Sequence, residues 1–557
     1  MVIERRQKHK VIIALFSLLA LSVGAMLGYS MGSAAAELPI SLGKPVLAST
    51  QEGWNPVENA VDGFASTRWA ASSGVYPNWV RVDLGSVSEI SRVDIKWYDP
   101  ENRSYKYLLE VSDDDENYRV VVDQTQRTQI GDSSDPLNVS ARYVRVTVTG
   151  GTGSPSFYEF QVFGKEGESV RNKSAFSFVE SNQTERWVGT WAASQQLVEP
   201  HNMPPSPGLT NRTLRQVVRV SIGGDQIRLK LSNQYGNSPL TINAVYLAES
   251  AGAHRIKPET GQIVKFDGNE SITISSGEAV VSDPFDYNLS KLTNMAITIN
   301  FGSVPSDLTG HPGSRTTSYI SPDSAVDVES MSSVTTTDHW YVITGIDILT
   351  DCNEVAVVAL GDSITDGRGS ITNQNNRWTD VLAKRLQDND TTSHVAVLNH
   401  GIGGNAVLGG GLGPTAYRRF ERDVLEQSGV RYLIILAGVN DIGGSNSMVT
   451  ADDLITAYQI FVNKARERNI LVYGATILPF GGSGYYTPLR EKIRQKVNEW
   501  IRTSGEFDAV IDFDFALRDP DEPVKLFHAY DDGDHLHPNA AGYKQMGEVI
   551  DLTLFIK

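Results

Sequence analysis

The chain has 557 residues, which is too long for a single hydrophobic core and predicts about three domains. It carries 49 basic and 66 acidic side chains, a net charge of −17, with no basic block beyond the first ten residues. This balance excludes a nucleic-acid-binding protein. The one cysteine, Cys352, excludes an intramolecular disulfide, and its place beside an apolar run predicts a buried thiol.

The amino terminus has the composition of an export signal. Basic residues at positions 5, 6, 8 and 10 precede an apolar run at residues 11–29, and small residues follow up to Ala36. These are the parts of a secretory signal peptide, so we predict that residues 1–36 are removed after Ala36. An uncleaved signal anchor is the alternative, since the apolar run is long. We expect a secreted or cell-surface protein that has no stable association with the membrane after cleavage.

Residues 38–164 alternate apolar and polar side chains between Gly, Asp and Asn turns, which predicts a β-sandwich. The region resembles a discoidin-like domain of the family-32 carbohydrate-binding kind, on the segments NAVDG at 59–63, TRW at 67–69, WVRVDLG at 79–85, RYVRV at 142–146 and YEF at 158–160. The resemblance implies a sugar-binding module with a structural calcium ion held by Asp62, Thr67 and Glu159, and oxygen ligands suit calcium. Discoidin-like folds also bind lipid headgroups or proteins, so the ligand stays open.

The same region contains aromatic residues that could stack on a sugar ring. In a small sandwich each of them is more often part of the core, so we single out none: Trp54, Tyr76, Trp97 and Tyr98.

A polar linker and a second β-rich region follow. Residues 165–184 are polar and predict the linker. Strand-like runs between residues 185 and 351 predict a second β-sandwich or jelly roll, in which we find no catalytic group. It resembles the β-domain that precedes the hydrolase domain in some exported polysaccharide esterases. We expect residues 187–191 to pack between this domain and the next.

Residues 352–557 alternate apolar runs with amphipathic segments, which predicts a three-layer α/β/α domain around a parallel sheet. The apolar run at residues 355–360 ends in Gly361-Asp362-Ser363, so a serine follows a buried strand at the sheet edge where open α/β sheets bind ligands. Alternatively, Asp362 or Ser363 only caps the next helix. The predicted helices lie near residues 378–387, 416–427, 452–468, 489–503 and 540–554.

Three further blocks argue for a nucleophile. Gly401-Ile402-Gly403-Gly404-Asn405 and Gly438-Val439-Asn440-Asp441 each follow an apolar run, and Asp534-His535-Leu536-His537-Pro538 lies near the carboxyl terminus. Two glycine-rich loops, at residues 408–413 and 481–486, lie at the same sheet edge and could shape a substrate entrance or be simple turns.

The blocks supply the parts of a serine hydrolase. The Ser363 hydroxyl becomes a nucleophile when a base removes its proton, and His537 can do this at neutral pH. Asp534 lies three residues earlier, so it can fold back and accept the Nδ1 proton, which leaves Nε2 to face the serine. A backbone N–H beside Gly404 and the amide of Asn440 are the donors that a tetrahedral oxyanion needs.

Together the four blocks resemble those of the GDSL or SGNH hydrolase family, serine esterases with a flavodoxin-like sheet, over residues 353–557. The resemblance implies Ser363 as nucleophile, His537 as base and Asp534 as the residue that orients the base. It also implies an oxyanion hole formed by the Ser363 N–H with Gly404 and Asn440. We expect no cofactor for catalysis.

A metal site is the competing interpretation of the last block. His535 and His537 lie beside Asp532 and Asp534, and such clusters can bind zinc. A zinc hydrolase would leave the strand-terminal Ser363 without a role, so we favour the serine mechanism.

The domain combination predicts the substrate. The sequence has no apolar lid or amphipathic surface helix typical of a lipase, and an attached sugar-binding module would hold a polysaccharide nearby. We predict an exported serine esterase that removes O-acyl groups, above all O-acetyl groups, from xylan or a related plant polysaccharide. A general acylhydrolase, arylesterase or lipase-like enzyme is the alternative, and an inactive surface glycan-binding protein is the alternative of another class.

Overall fold

The computed structural model of the protein describes residues 39–53, 55–63, 67–165, 167, 185–351, 353–409, 411–444 and 449–556. The predicted signal peptide, Trp54, Cys352 and residues 168–184 of the predicted linker lie outside the described residues. The chain divides into two compact units, residues 1–175 and 176–557. In the part that the structure describes, no helix is long and apolar enough to cross a membrane.

The first unit is an antiparallel β structure around one apolar core. The elements are β1 Val46–Ala48, a 3-10 helix Val57–Val61, β2 Trp69–Ala70, β3 Asn78–Trp97, β4 Tyr105–Ser112, β5 Arg119–Gln124, β6 Ser133–Gly151 and β7 Ser156–Lys165. The strands run in the order β2-β7-β3-β6-β4-β5, and β1 pairs with β3. Burial alternates along the strands, as the period-two pattern predicts.

The aromatic residues of this unit divide between core and surface. Trp97 is completely buried and stacks on Tyr105 with ring centroids 4.4 Å apart, so it belongs to the core. Tyr98 is half-buried, and the guanidinium of Arg68 lies 4.3 Å from its ring centroid. Tyr76 donates a hydrogen bond to Gly153 O at 2.5 Å.

The second unit begins with residues 185–351, which we call the β-platform. Its described residues form an eight-stranded, a five-stranded and a three-stranded antiparallel sheet. The strands are β8 Arg186–Ala192, β9 Gln196–Leu197, β10 Thr213–Arg219, β11 Gly224–Ser232, β12 Leu240–Gly252, β13 Arg255–Ile256, β14 Gln262–Val264, β15 Ile272–Ile274, β16 Ala279–Val281, β17 Phe285–Leu289, β18 Asn294–Phe301, β19 Thr309–His311, β20 Ser318–Ser321, β21 Thr335–Thr337, β22 Trp340–Tyr341 and β23 Ile343–Thr350.

The rest of this unit is the catalytic layer, a parallel sheet with helices between its strands. Its strands are β24 Val355–Gly361, β25 Val395–Gly401, β26 Val430–Leu436, β27 Leu471–Ala475 and β28 Ala509–Ile511. Its α-helices are α1 Ser363–Asp366, α2 Trp378–Gln387, α3 Ala416–Phe420, α4 Val439–Gly443, α5 Ala451–Arg466, α6 Pro488–Thr503, α7 Phe513–Leu517 and α8 Ala540–Val549. The predicted helix at residues 416–427 is α3 followed by a π-helical turn, Glu421–Leu425.

The strand order of this sheet indicates at which edge a ligand binds. The order is β25-β24-β26-β27-β28, so the first strand, β24, lies between the second and the third. This is the flavodoxin-like order, in which ligands bind beyond the carboxyl ends of the strands where the order reverses. The residues that follow β24, β25 and β26 therefore meet at one edge.

One buried arginine joins the β-platform to this edge. Arg419 on α3 is completely buried and donates hydrogen bonds to Gly361 O and His400 O, at 2.8 and 2.7 Å. It also donates to Ser194 Oγ of the β-platform and to Asp423 Oδ2, both at 2.9 Å. Because Gly361 and His400 lie at the carboxyl ends of β24 and β25, Arg419 ties both strand ends to the β-platform.

Strand β8 of the β-platform also packs directly on the catalytic layer. Gly189 N donates to Ser428 O at 2.9 Å, and a Cβ at Gly189 would lie 2.9 Å from Leu398 Cδ1. Residues 187–191 therefore pack between the β-platform and the catalytic layer, as we expect from the sequence.

We expect Arg419→Ala to lower the free energy of unfolding of the second unit by about 3 kcal/mol, because the substitution leaves buried carbonyls and a buried carboxylate without their donor. Arg418→Ala removes the exposed neighbouring side chain and is the matched control, with an expected change within about 0.5 kcal/mol. Urea denaturation followed by tryptophan fluorescence measures both. Equal effects of the two substitutions would contradict a structural role for the buried network.

Candidate active site

Ser363 is the first residue of α1, directly after β24. Asp362 caps this short helix, since its Oδ1 accepts a hydrogen bond from Ile364 N at 3.0 Å. The capping residue and the serine are therefore neighbours with separate roles. The Ser363 side chain is buried, and its Oγ lies 2.8 Å from His537 Nε2. A Cβ at Gly401, at the end of β25, would lie 2.2 Å from Asp366 N, so only glycine allows this close approach.

His537 is oriented by the residue three positions earlier. Its Nδ1 lies 2.6 Å from Asp534 Oδ2, and Asp534 Oδ1 accepts a hydrogen bond from His537 N at 2.8 Å. A carboxylate only accepts, so Nδ1 carries the proton and Nε2 presents its lone pair to the Ser363 hydroxyl. The structure therefore brings the three predicted residues into one hydrogen-bonded chain.

The electrostatic environment keeps the base neutral. Burial lowers the pKa of His537, the hydrogen bond and charge of Asp534 partly offset this, and the positive charges of Arg368 and Arg315 lower the pKa further. Burial alone would raise the pKa of Asp534, but its hydrogen bonds from His537 outweigh burial and lower that pKa. At neutral pH the pair is a neutral imidazole and an ionised carboxylate, which is the state that general-base catalysis needs.

The predicted oxyanion donors follow three adjacent strands. Ser363, Gly404 and Asn440 come after β24, β25 and β26, which lie side by side. Among the hydrogen bonds of the described residues, none is donated by the backbone N–H of Ser363 or of Gly404. Asn440 Nδ2 donates one hydrogen to Asn405 O at 2.8 Å, and no partner for its second hydrogen is found in the described ranges. These three N–H groups are the donors that can stabilise an oxyanion at this edge.

Tyr485 is a site residue that the sequence did not single out. Its hydroxyl donates to Asn440 Oδ1 at 2.9 Å, which orients the amide so that Nδ2 is the atom left as a donor. Tyr485 is held in turn by Arg490, whose Nη1 donates to Tyr485 O at 3.2 Å. The glycine-rich pattern at residues 481–486 predicts a loop here, but nothing local connects that loop to Asn440.

Two buried carboxyl groups, those of Asp362 and Asp441, accept hydrogen bonds from backbone N–H groups near the predicted oxyanion donors. Asp441 accepts hydrogen bonds from Val407 N and Leu408 N, both at 2.8 Å, and so holds the loop that follows Gly404. Burial raises the pKa of Asp441 to about 6 and that of Asp362 to about 7.

Two family models match the chain. The GDSL-like Lipase/Acylhydrolase family matches residues 359–545, a range that includes every predicted catalytic and oxyanion residue, and the F5/8 type C domain matches residues 45–160. The chain contains a GDSL-like hydrolase domain and an F5/8 type C domain. It is therefore a carboxylic ester hydrolase, and its first unit has the discoidin-like fold that the sequence motifs predict.

Solved structures are similar to each domain separately. A lipolytic protein of the G-D-S-L family from Desulfitobacterium hafniense DCB-2 is 25% identical, covers 35% of this chain and 97% of its own, and has a TM-score of 0.28. Chitosan-binding module 1 of a chitosanase/glucanase from Paenibacillus sp. IK-5 is 31% identical over 23% of this chain and 98% of the module, with a TM-score of 0.21. Module 2 of that enzyme, solved with chitotriose, is 30% identical over 22% of this chain and 99% of the module, with a TM-score of 0.21. No curated protein matches the chain.

The implied calcium ligands lie in the F5/8 type C domain. Asp62 and Glu159 are buried, and Thr67 Oγ1 lies 2.9 and 2.7 Å from the two carboxylate oxygens of Asp62. The side chains of the three residues offer only oxygen donors, which is the ligand type that calcium takes. Calcium binding by Asp62, Thr67 and Glu159 stays a proposal.

The two histidines of the last GDSL-like block belong to separate pairs. His535 Nδ1 lies 2.6 Å from Asp531 Oδ2 and its side chain is exposed, whereas His537 is buried and paired with Asp534. In the described ranges, no group of three or more His, Cys, Asp or Glu side chains could hold a metal ion. The geometry of these residues therefore favours the serine mechanism over the zinc alternative.

The lowered pKa of His537 predicts where activity falls with acid. A base works only when it is deprotonated, so the acid limb of kcat/KM should lie below about pH 6.5, the usual histidine value. A pH–rate profile with an aryl acetate measures this limb. His535→Gln is the control, because it removes the neighbouring Asp–His pair, and it should leave the limb in place. A limb above pH 6.5, or one moved by the control, would contradict the assignment of the base.

Tyr485→Phe should lower kcat by about tenfold and leave KM nearly unchanged, because a misoriented Asn440 amide loses its value chiefly when the oxyanion forms. Tyr486→Phe removes the hydroxyl of the adjacent, exposed tyrosine and is the matched control. Steady-state kinetics with an aryl acetate separates the two constants. A rise in KM alone, or the same effect in the control, would remove Tyr485 from the oxyanion machinery.

Proposed function

We propose that this chain is an exported esterase that removes O-acyl groups, above all O-acetyl groups, from a carbohydrate polymer such as xylan. The observation that carries the proposal is the hydrogen-bonded chain from Ser363 through His537 to Asp534 at the carboxyl edge of the parallel sheet. The F5/8 type C domain supports the carbohydrate assignment, because a glycan-binding module on the same chain raises the local concentration of a polymeric substrate.

Acylation begins when Ser363 Oγ attacks the ester carbonyl carbon while His537 Nε2 takes the hydroxyl proton. The carbonyl oxygen becomes an oxyanion, which accepts hydrogen bonds from the N–H groups of Ser363 and Gly404 and from Asn440 Nδ2. The ionised Asp534 stabilises the imidazolium formed at this stage. The intermediate then collapses, and the sugar oxygen leaves with the proton held by His537.

Deacylation repeats these steps with water in place of the serine. His537 takes a proton from water, whose oxygen attacks the acyl carbon of the acyl-enzyme. A second oxyanion forms at the same donors. When it collapses, the bond to Ser363 Oγ breaks, the proton on His537 returns to the serine, and the free carboxylic acid departs.

Export supports access to a polymer outside the cell. The proposal rests on the basic, apolar and small-residue segments of residues 1–36. Amino-terminal sequencing of the exported protein tests it, since cleavage after Ala36 leaves Glu37 as the first residue.

We expect the protein to release acetate from acetylated xylan, with little activity on long-chain aryl esters. Ser363→Ala should reduce the rate by at least about 1000-fold, because it removes the nucleophile, while binding to insoluble xylan stays unchanged. Acetate assay and pull-down with the full chain measure the two effects. Activity on aryl or long-chain esters alone would favour a general or lipase-like acylhydrolase, and glycan binding without turnover of any ester would favour the binding protein.

A further inference from the structure

A loop of the β-platform is attached to the segment that follows the nucleophile. This loop, residues 312–317, connects β19 to β20. Arg377 Nη2 donates a hydrogen bond to Ser314 O, and Asn373 N donates to Arg315 O at 3.0 Å. Because both donors belong to the stretch between α1 and α2, the loop has a defined position beside the active site.

The last strand residue before the loop contacts the nucleophile turn itself. His311 Nδ1 lies 2.8 Å from Ser194 O, so Nδ1 must donate, since a carbonyl oxygen only accepts. The other ring nitrogen, Nε2, lies 2.9 Å from Asp366 Oδ1. Both side chains are buried, and Asp366 is the last residue of α1, which begins at Ser363. The β-platform is therefore in direct contact with the helix that carries the serine.

Arg315 brings a positive charge to this position. Its φ is +52°, a left-handed conformation that costs free energy for a long side chain and that the flanking contacts maintain. Its Nη2 lies 3.8 Å from Asp366 Oδ2, and among the described residues its buried Nε has no hydrogen-bond partner. The side chain is 29% exposed. No hydrogen bond donated by its Nη groups is found among the described residues, so the exposed part of the guanidinium keeps donors for a ligand while Asp366 lies at one end.

Arg368 brings a second cation close to the nucleophile helix, two residues after its last residue, Asp366. Its backbone N–H donates to Ser363 O at 2.9 Å, and its carbonyl oxygen accepts from Tyr543 Oη at 2.5 Å, so its backbone is fixed. Its side chain is exposed, and no ion pair of that side chain is found among the described residues. The charges of Arg315 and Arg368 both act on His537, where they lower the pKa of the imidazole.

We propose that Arg315 and Arg368 form an anion-binding subsite beside Ser363, which takes a carboxylate of the substrate and makes esters of acidic, uronate-type sugars the preferred substrates. Guanidinium groups bind carboxylates through paired, charge-assisted hydrogen bonds, which give geometry as well as affinity. Because the protein as a whole has a net charge of −17, an acidic glycan gains attraction only from such a local site. The inference rests on the proposed carbohydrate esterase function and names its substrate class.

The test uses two substrates that differ in one charge. O-acetylated glucuronic acid and its methyl ester present the same sugar and the same acetyl groups, and acetate release gives kcat/KM for each. We expect the full-length protein to favour the free acid by about tenfold or more. Arg315→Gln and Arg368→Gln should each lower this ratio by about tenfold, mainly through KM, and Arg315→Lys should keep part of it.

Lys384→Gln is the control for loss of one positive charge. Lys384 is exposed on the last turn of α2, which runs from the carboxyl edge of the sheet towards the opposite edge. This substitution should leave the ratio at its wild-type value. Because Arg368 is exposed, Arg368→Gln should fold even if Arg315→Gln does not, and aryl acetate turnover reports on the folded active site.

The outcomes separate the two levels of the proposal. Acetate release from neither sugar, with aryl acetates still cleaved, would overturn the proposed carbohydrate function. Release from both sugars with equal kcat/KM in the wild-type protein would overturn the anionic subsite and leave the carbohydrate function standing. A preference for the acid that Arg315→Gln and Arg368→Gln leave intact would also overturn the subsite.

Discussion

The catalytic edge of this protein depends on one buried cation. Arg419 donates hydrogen bonds to the carbonyl oxygens that end β24 and β25, and Ser363 and Gly404 follow those strand ends. Burial lowers the pKa of Arg419, and the adjacent Asp423 offsets this, so the charge is kept inside the protein by its partner. Because the same guanidinium donates to Ser194 Oγ, one side chain connects the ends of β24 and β25 to the β-platform.

This arrangement also brings the β-platform into direct contact with the helix that carries Ser363. His311 contacts the end of the nucleophile helix, and the loop after it carries Arg315 to the same place. Buried polar contacts of this kind cost desolvation unless every partner is in position, so they specify one arrangement of the platform and the catalytic layer. Side chains of the β-platform, His311 and Arg315, therefore lie beside the helix that begins at Ser363.

The sequence by itself determined the chemistry and most of the fold. Apolar runs that end in Gly-Asp-Ser, Gly-Gly-Asn and Val-Asn-Asp place Ser363, Gly404 and Asn440 at one edge, because parallel strands have their carboxyl ends together. The spacing of Asp534 and His537 predicted their contact, since three residues span one turn. The hydrolase and discoidin-like domains predicted from local motifs are confirmed by the family models.

Only the tertiary structure decided which distant residues serve these motifs. Tyr485 orients Asn440 from a loop 45 positions away, and His311 contacts Asp366 across 55 positions. Arg419 contacts Ser194 across 225 positions. Such contacts produce no periodic pattern or fixed spacing in the sequence, because they form only when the folded elements pack against each other. The sequence therefore determined what the site can do, and the packing of the β-platform on the catalytic layer decided which side chains surround it.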